Sequence, residues 1–320
     1  MNNYLLLSFI VSFAVTTLLM LIGIPILRNV KMGQSIRLDG PSTHLKKQGT
    51  PTMGGIIILL GFSISFIIFG IINLDLSYKE IFSFLFPSYI YLLIGFIDDL
   101  IIIIKHNNEG IKPKIKVLFQ IIGILLYYII FLNDVSTTIN LYYFTVDLKR
   151  FYFFFVLLLY VSSTNAVNLT DGLDGLASGL LIICFMGTTI LGLLYNRNDI
   201  ILFSVTIVAS LLSFLIFNYN PAKIFMGNAG SLMFGSVLAT LFVLLKEEMM
   251  IVVIGIVFII ETLSVIIQVA YFKITKGKRV LLMAPLHHHY EKKGNNEIVI
   301  DLFFWIIGLI SLIVLLIIIL

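Results

Sequence analysis

Two adjacent carboxylates are the residues best suited to chemistry in this chain. Asp98 and Asp99 stand side by side in the run GFIDDL, at the end of a long apolar segment. Neighbouring carboxylates near the negative end of a helix repel each other, so a cation is needed to offset them. Oxygen ligands suit Mg²⁺, which proteins usually hold together with substrate phosphates. The alternative is a hydrated helix end with Lys105 as counter-charge, and on either interpretation we expect both aspartates to be hydrated.

A second acidic pair lies in NAVNLTDGLDGLASG, residues 165–179. Asp171 and Asp174 are three residues apart, so they share a face if a helix begins here. Gly172 and Gly175 allow a ligand to approach the backbone, and free amides at a helix start bind an anion or the edge of a pyrimidine. The alternative is a tight turn between two helices.

Three further motifs carry groups that suit phosphate. In NPAKIFMGNAGSLMFG, the glycines around Ser231 predict a turn that can cradle a phosphate, although membrane helices also use glycine for close packing. The three consecutive histidines of PLHHHYE cannot all face one metal, so they suit phosphate contacts or proton transfer better than zinc. HLKKQGTPTMGG is a basic loop before a glycine-led helix. The alternatives are a surface histidine run and an ordinary cytoplasmic loop.

The elements that position these motifs are membrane spans. The 320 residues are 59% hydrophobic and 12% charged, with a mean hydropathy of +1.08. A soluble domain is about 45–50% apolar and about 25% charged. We therefore expect one integral membrane domain over residues 1–320, all-α and polytopic, with a short external β-hairpin near 134–150. Windows of about 20 apolar residues place ten spans near 4–27, 53–73, 81–104, 115–132, 151–169, 176–195, 200–217, 229–245, 249–271 and 298–320.

The basic residues predict the orientation of this bundle. Loops after the odd-numbered spans hold 16 of the 21 lysines and arginines, which places those loops in the cytoplasm and both termini outside. All five histidines and both acidic pairs then lie on the cytoplasmic face. Channels and transporters more often carry ionisable groups near the midplane, where only Glu261 lies here. Ionisable residues concentrated on one face of the membrane predict an enzyme that transfers a phospho-group from a soluble anionic donor to a lipid.

In order and spacing, these motifs resemble those of MraY, the phospho-N-acetylmuramoyl-pentapeptide transferase family of bacterial cell-wall synthesis. The resemblance runs from about His44 to Glu291. It implies transfer of phospho-MurNAc-pentapeptide from UDP-MurNAc-pentapeptide to undecaprenyl phosphate, giving lipid I and UMP in the first membrane step of peptidoglycan synthesis. It also implies Mg²⁺ as cofactor and a place in the lipid bilayer of the bacterial inner (cytoplasmic) membrane. We expect no nucleic-acid partner, and a homodimer is one candidate assembly.

The resemblance also implies roles for individual residues. Catalytic roles fall to Asp98, Asp99, His287, His288 and His289. Mg²⁺ binding falls to Asp98, Asp99, Asp171 and Asn228. Substrate binding falls to Lys46, Lys47, Lys114, Lys116, Asn168, Asp171, Gly172, Leu173, Asp174, Phe225, Gln268 and His288. Glu261 matches a family position whose burial requires pairing or hydration.

Two positions depart from the family pattern. Asn228 stands where the family has a metal-binding aspartate, and an amide brings a dipole in place of a charge. Ile102 stands where a lysine is usual, and Lys105 is the expected substitute. Two alternatives therefore stay open. One is a related UDP-N-acetylhexosamine-1-phosphate transferase on the same lipid, and the other is a catalytically impaired binding homologue.

Overall fold

The computed structural model describes residues 3–30, 47, 49–105, 110–133, 135–141 and 144–320. Ten helices in this part of the chain are long and apolar enough to cross a membrane, which confirms the predicted all-α polytopic fold. The helices are α1 Asn3–Asn29, α2 Gly54–Leu74, α3 Tyr78–Lys105, α4 Pro113–Tyr127 with a π-helical extension Tyr128–Leu132, α5 Tyr152–Thr170, α6 Leu176–Leu194, α7 Asn198–Asn218, α8 Gly227–Leu245, α9 Met250–Ile254, α10 Ile256–Ile274, α11 Leu286–Lys292 and α12 Glu297–Ile319.

The predicted hairpin is present in the connection between α4 and α5. Strand β1, Thr138–Asn140, pairs antiparallel with β2, Thr145–Asp147, and Ile139 lies opposite Val146. Lys246 at the end of α8 donates to the Ser136 carbonyl beside the hairpin at 2.8 Å. The hairpin therefore lies at the end of the bundle where α8 finishes.

The ninth span differs from the prediction of one helix over 249–271. The chain forms the short α9, is interrupted at Gly255 and continues as α10 to Ile274. A Cβ at Gly255 would lie 2.6 Å from the Ile251 carbonyl oxygen, so this backbone geometry favours glycine. Glycine is also a weak helix former, which explains why a continuous apolar pattern is interrupted here.

Helix α8 is the centre of the bundle, where close backbone contacts replace large side chains. A Cβ at Gly55 of α2 would lie 2.3 Å from the Gly230 Cα of α8. On the other side of α8, a Cβ at Gly235 would lie 2.4 Å from the Thr164 Cα of α5. Small residues that allow backbones to approach are a principal source of helix association in a bilayer. These contacts fix the positions of the elements that carry the acidic motifs.

Most polar motifs lie at one end of this bundle. The ends of α3, α5, α7 and α10 meet the beginnings of α2, α4, α6, α8 and α12 there, as alternating spans require. The opposite end carries the hairpin and an ion pair of Lys246 with Glu248 at 2.7 Å. The polar motifs therefore lie at one end of the bundle. That this end faces the cytoplasm stays a prediction from the basic loops.

Replacing Gly235 by alanine should destabilise the bundle, because the added methyl group must push α5 and α8 apart. We expect a loss of about 1–3 kcal/mol, measured as a lower Tm in detergent. Gly187→Ala in α6 is the matched control, because the three atoms nearest to its Cβ would be side-chain tips, the first of them Leu312 Cδ1 at 3.3 Å. Equal losses in the two variants would contradict the importance of the α5–α8 backbone contact.

Candidate active site

Asp99 joins the end of α3 to the beginning of α8. The backbone amides of Asn228 and Ala229 donate to its two carboxylate oxygens at 3.1 and 3.0 Å. A carboxylate at a helix N-terminus satisfies free amides and complements the helix dipole. The expected hydration of Asp99 is wrong, since its side chain is only 5% exposed. The predicted phosphate cradle at this helix start is likewise filled by Asp99.

Asp98 points to different partners. Its carboxylate forms an ion pair with Lys116 of α4 at 2.5 Å and accepts the Ile111 amide at 2.6 Å. Lys116, rather than the expected Lys105, is the counter-charge. Asp98 is buried, so the hydrated helix end predicted for it is also wrong. Lys114, on the first turn of the same helix, is exposed.

The second acidic motif is a turn, not the beginning of a helix. Helix α5 ends at Thr170, and α6 begins at Leu176 after Gly175, whose φ is +88°. The alternative of a tight turn is therefore confirmed, and the shared helical face predicted for Asp171 and Asp174 is wrong. Leu173 is buried within this turn.

Asp174 and Lys47 form a partly buried ion pair beside the turn. Lys47 Nζ donates to Asp174 at 2.8 Å and to Glu297 of α12 at 2.6 Å. The backbone amide of Ala222 donates to the second Asp174 oxygen at 2.9 Å. Burial lowers the pKa of Lys47, but the two carboxylates outweigh this effect and raise it above its ordinary value. Sequence reasoning missed Glu297, whose only signal is an acidic residue at the start of the last span.

No hydrogen bond among the described residues reaches the Asp171 carboxylate, and the same holds for the buried Asp301 of α12. Burial raises the pKa of Asp171 to about 7, and the nearby Asp99 and Asp174 carboxylates add to the increase. Asn168 donates from one amide nitrogen to the Asn228 oxygen at 2.6 Å and to Ser231 at 2.8 Å. The site thus presents carboxylate and amide oxygens with negative charge that the protein leaves uncompensated.

These oxygens fit a hard divalent cation better than they fit zinc. Within the described ranges, no group of three or more His, Cys, Asp or Glu side chains has the arrangement of a metal site. Asp171 and Asp99 supply charge, and Asn228 supplies an amide oxygen. Mg²⁺ commonly takes few protein ligands and completes its shell with water and phosphate, so this small donor set suits it.

The three histidines face three different partners. His287 Nδ1 lies 3.1 Å from Glu261, and His288 Nδ1 lies 2.6 Å from Glu291. His289 Nδ1 accepts the Leu282 amide at 3.1 Å. Their divergence agrees with the expectation that consecutive histidines do not share one metal. It also identifies the partner that a buried Glu261 requires.

Gln268 and Phe225 organise backbone segments beside the site. Gln268 accepts the amides of Val280 and Leu281 at 3.1 and 2.9 Å and donates to the Leu281 carbonyl at 3.1 Å. Its amide is therefore engaged with the segment that leads to the histidines. The Phe225 amide donates to the Pro51 carbonyl at 2.8 Å, which joins two glycine-rich motifs, and its ring is partly exposed. Lys46, His44 and His106 lie outside the described residues.

An apolar groove of about 320 Å³ runs along α5 from the hairpin end of the bundle, where Glu248 lines it, towards the acidic end. It follows α5 from Phe155 to Val167, one turn before Asp171, and α9 and α10 form its other wall through side chains such as Ile251 and Phe258. A narrow apolar groove in a membrane bundle suits a hydrocarbon chain. The groove thus brings an apolar binding surface close to the charged site.

Comparisons with known proteins agree with this arrangement. The family model described as glycosyl transferase family 4 matches residues 81–246, and signature 1 of phospho-N-acetylmuramoyl-pentapeptide-transferase matches residues 47–59. A phospho-N-acetylmuramoyl-pentapeptide-transferase of Listeria monocytogenes is 41% identical over 98% of both chains. The protein of that name from Staphylococcus carnosus is 45% identical over 94% of this chain and 95% of its own. Near full-length identity at this level leaves one conclusion: the chain belongs to the phospho-N-acetylmuramoyl-pentapeptide-transferase family of multi-pass bacterial membrane proteins.

Proposed function

We propose that this chain transfers phospho-MurNAc-pentapeptide from UDP-MurNAc-pentapeptide to undecaprenyl phosphate. A phosphate oxygen of the lipid attacks the phosphorus that carries MurNAc, the bond from that phosphorus to UMP breaks, and lipid I forms. The observation that carries the proposal is an acidic and basic site at one end of a membrane bundle with an apolar groove that runs along α5 to within one helical turn of it. Such a junction suits a water-soluble donor and a lipid acceptor.

The donor and acceptor use different parts of the site in this proposal. The nucleotide lies at the turn of Gly172, Leu173 and Asp174, with Phe225 stacked on uracil. Lys46, Lys47, Lys114 and Lys116 meet phosphate charge, and the lipid chain follows the groove along α5. Further donor contacts come from Asn168, Gln268 and His288. His287 and His289 serve the phosphate region, and Asp98 acts as base toward the lipid phosphate once Lys116 turns to that phosphate.

Mg²⁺ is the proposed cofactor. Asp171, Asp99 and Asn228 would hold it, and Asp98 would join them when its bond to Lys116 is released. The bound cation supplies positive charge that neutralises the diphosphate. A homodimer and a cytoplasmic position of the site stay predictions.

Purified chain given UDP-MurNAc-pentapeptide, undecaprenyl phosphate and Mg²⁺ should release UMP. UDP-N-acetylglucosamine in place of the donor should give no release, because the proposed substrate is the peptide-bearing sugar. UMP is measured by a coupled assay, and folding is checked by gel filtration and Tm. A folded preparation without turnover would contradict the proposal, and turnover with UDP-N-acetylglucosamine alone would favour the hexosamine alternative.

Changing either adjacent aspartate to asparagine should reduce turnover by about 100-fold or more. The two variants should differ in stability. In Asp99→Asn the new amide nitrogen cannot accept a backbone amide of α8, and an unpaired buried amide costs about 1–3 kcal/mol. Asp98→Asn keeps an oxygen for the Ile111 amide and leaves a partly exposed lysine that water can reach, so its Tm should fall less. Near-normal kcat in either variant would remove that residue from the mechanism.

Asn228→Asp should strengthen Mg²⁺ binding, because a carboxylate adds a full negative charge beside Asp171 and Asp99. We expect the half-saturating Mg²⁺ concentration to fall by about tenfold, measured by calorimetry and by UMP release. Asn196→Asp is the matched control, since Asn196 is exposed at the opposite end of the bundle. Unchanged Mg²⁺ dependence would exclude residue 228 from the metal site. If the unmodified chain binds nucleotide without turnover and Asn228→Asp restores turnover, the impaired-homologue alternative is correct.

A further inference from the structure

Glu261 is a fully buried carboxylate in α10 with His287 of α11 as its partner. The His287 backbone amide donates to it at 3.2 Å, and the His287 ring nitrogen Nδ1 lies 3.1 Å from its second oxygen. Both side chains are 0% exposed. A carboxylate within a membrane helix is unfavourable unless it is paired, so this contact determines where α11 docks.

The same contact occupies one ring nitrogen of His287 and leaves the other ring nitrogen for a different partner. The backbone amide must donate, so the Glu261 carboxylate accepts, and Nδ1 carries the hydrogen that completes the pair. Nε2 is then the remaining ring nitrogen. It is buried, and no group in the described part of the chain hydrogen-bonds to it. Buried polar atoms in native proteins nearly always have a partner, so an unsatisfied Nε2 calls for one from outside the protein.

Nε2 faces the turn that carries the second acidic pair. A Cβ at Gly172 would lie 2.3 Å from Nε2, so the imidazole packs against bare backbone between Asp171 and Leu173. Any side chain at position 172 would displace the ring. The glycine is therefore explained by the approach of His287 as well as by the approach of a ligand.

We propose that Glu261 is a positioning residue that holds His287 Nε2 against the Gly172 turn, where it hydrogen-bonds to the donor nucleotide. The inference rests on the proposed function and names a residue that acts on the donor through His287. Carboxylates commonly fix the tautomer and orientation of a histidine in this way. The effect of Glu261 should consequently appear in donor binding and should require His287.

A pair of conservative variants separates the two residues. His287→Asn keeps a side-chain donor for Glu261 and removes Nε2, whereas Glu261→Gln keeps the shape of the side chain and removes the carboxylate. We expect each variant to raise the donor KM by about tenfold, with the KM for undecaprenyl phosphate unchanged. The double variant should be no worse than His287→Asn alone, because the carboxylate acts through the imidazole. Glu80→Gln, an exposed carboxylate of α3, is the matched control and should change neither KM.

Donor affinity measured by calorimetry on the same variants makes the result independent of turnover. Additive losses of donor affinity in the double variant would overturn the inference. A lower Tm and kcat with an unchanged donor KM and Kd would also overturn it, because a purely structural pair gives that pattern. Absence of UMP release from the unmodified chain contradicts the proposed function instead. In that case the coupling of Glu261 to His287 is still decided by the Kd values.

Discussion

Charge pairing between distant helices is the constraint on which this site depends. Asp98, Asp99, Asp174 and Glu297 are buried at one end of an apolar bundle, and Glu261 is buried within the span that α10 forms. An unpaired ionised group there would carry a large desolvation penalty, so each carboxylate needs donors from another segment. The ion pairs and caps that result join α3 to α4 and α8, α10 to α11, and the residue 47 segment to α12 and to the turn before α6. The charged groups thus act as connectors between spans whose outer faces are only apolar.

This pairing also identifies where a ligand must complete the structure. Most site carboxylates have protein donors, but Asp171 has none in the described part of the chain, and His287 Nε2 is unsatisfied. Asp171 precedes Gly172 in the chain, and His287 Nε2 packs against Gly172. In the proposed function, a cation would offset the negative charge at Asp171, and a polar nucleotide would complete the unsatisfied ring nitrogen of His287. One bound substrate would then serve both incomplete groups.

The spans were predictable from sequence because a bilayer demands about 20 apolar residues, and that requirement leaves a signal in local composition. Partners of charged residues leave no such signal. Asp99 accepts the amide of Asn228, which lies 129 residues later, and Lys47 donates to Glu297 across 250 residues. Choosing Lys105 as the counter-charge of Asp98 assumed a neighbour in sequence, whereas α4 folds back to supply Lys116. The motifs predicted which residues lie close together. The pairing between those residues depends on how α3, α4 and α8 pack.

Asn228 affects both the hydrogen bonding and the charge of the site. Its amide oxygen accepts from Asn168, and its backbone amide donates to Asp99. A carboxylate would accept the same bond from Asn168, but it could not donate the hydrogen bond that the Asn228 side chain makes to Asp99. The amide also has an electrostatic effect, since it removes one negative charge from a region that already holds Asp99 and Asp171. Less repulsion stabilises the site without ligand, and in the proposed function the same missing charge would weaken the hold of the site on a cation. With asparagine at this position, the proposed site would depend more on the diphosphate of the donor to hold the cation.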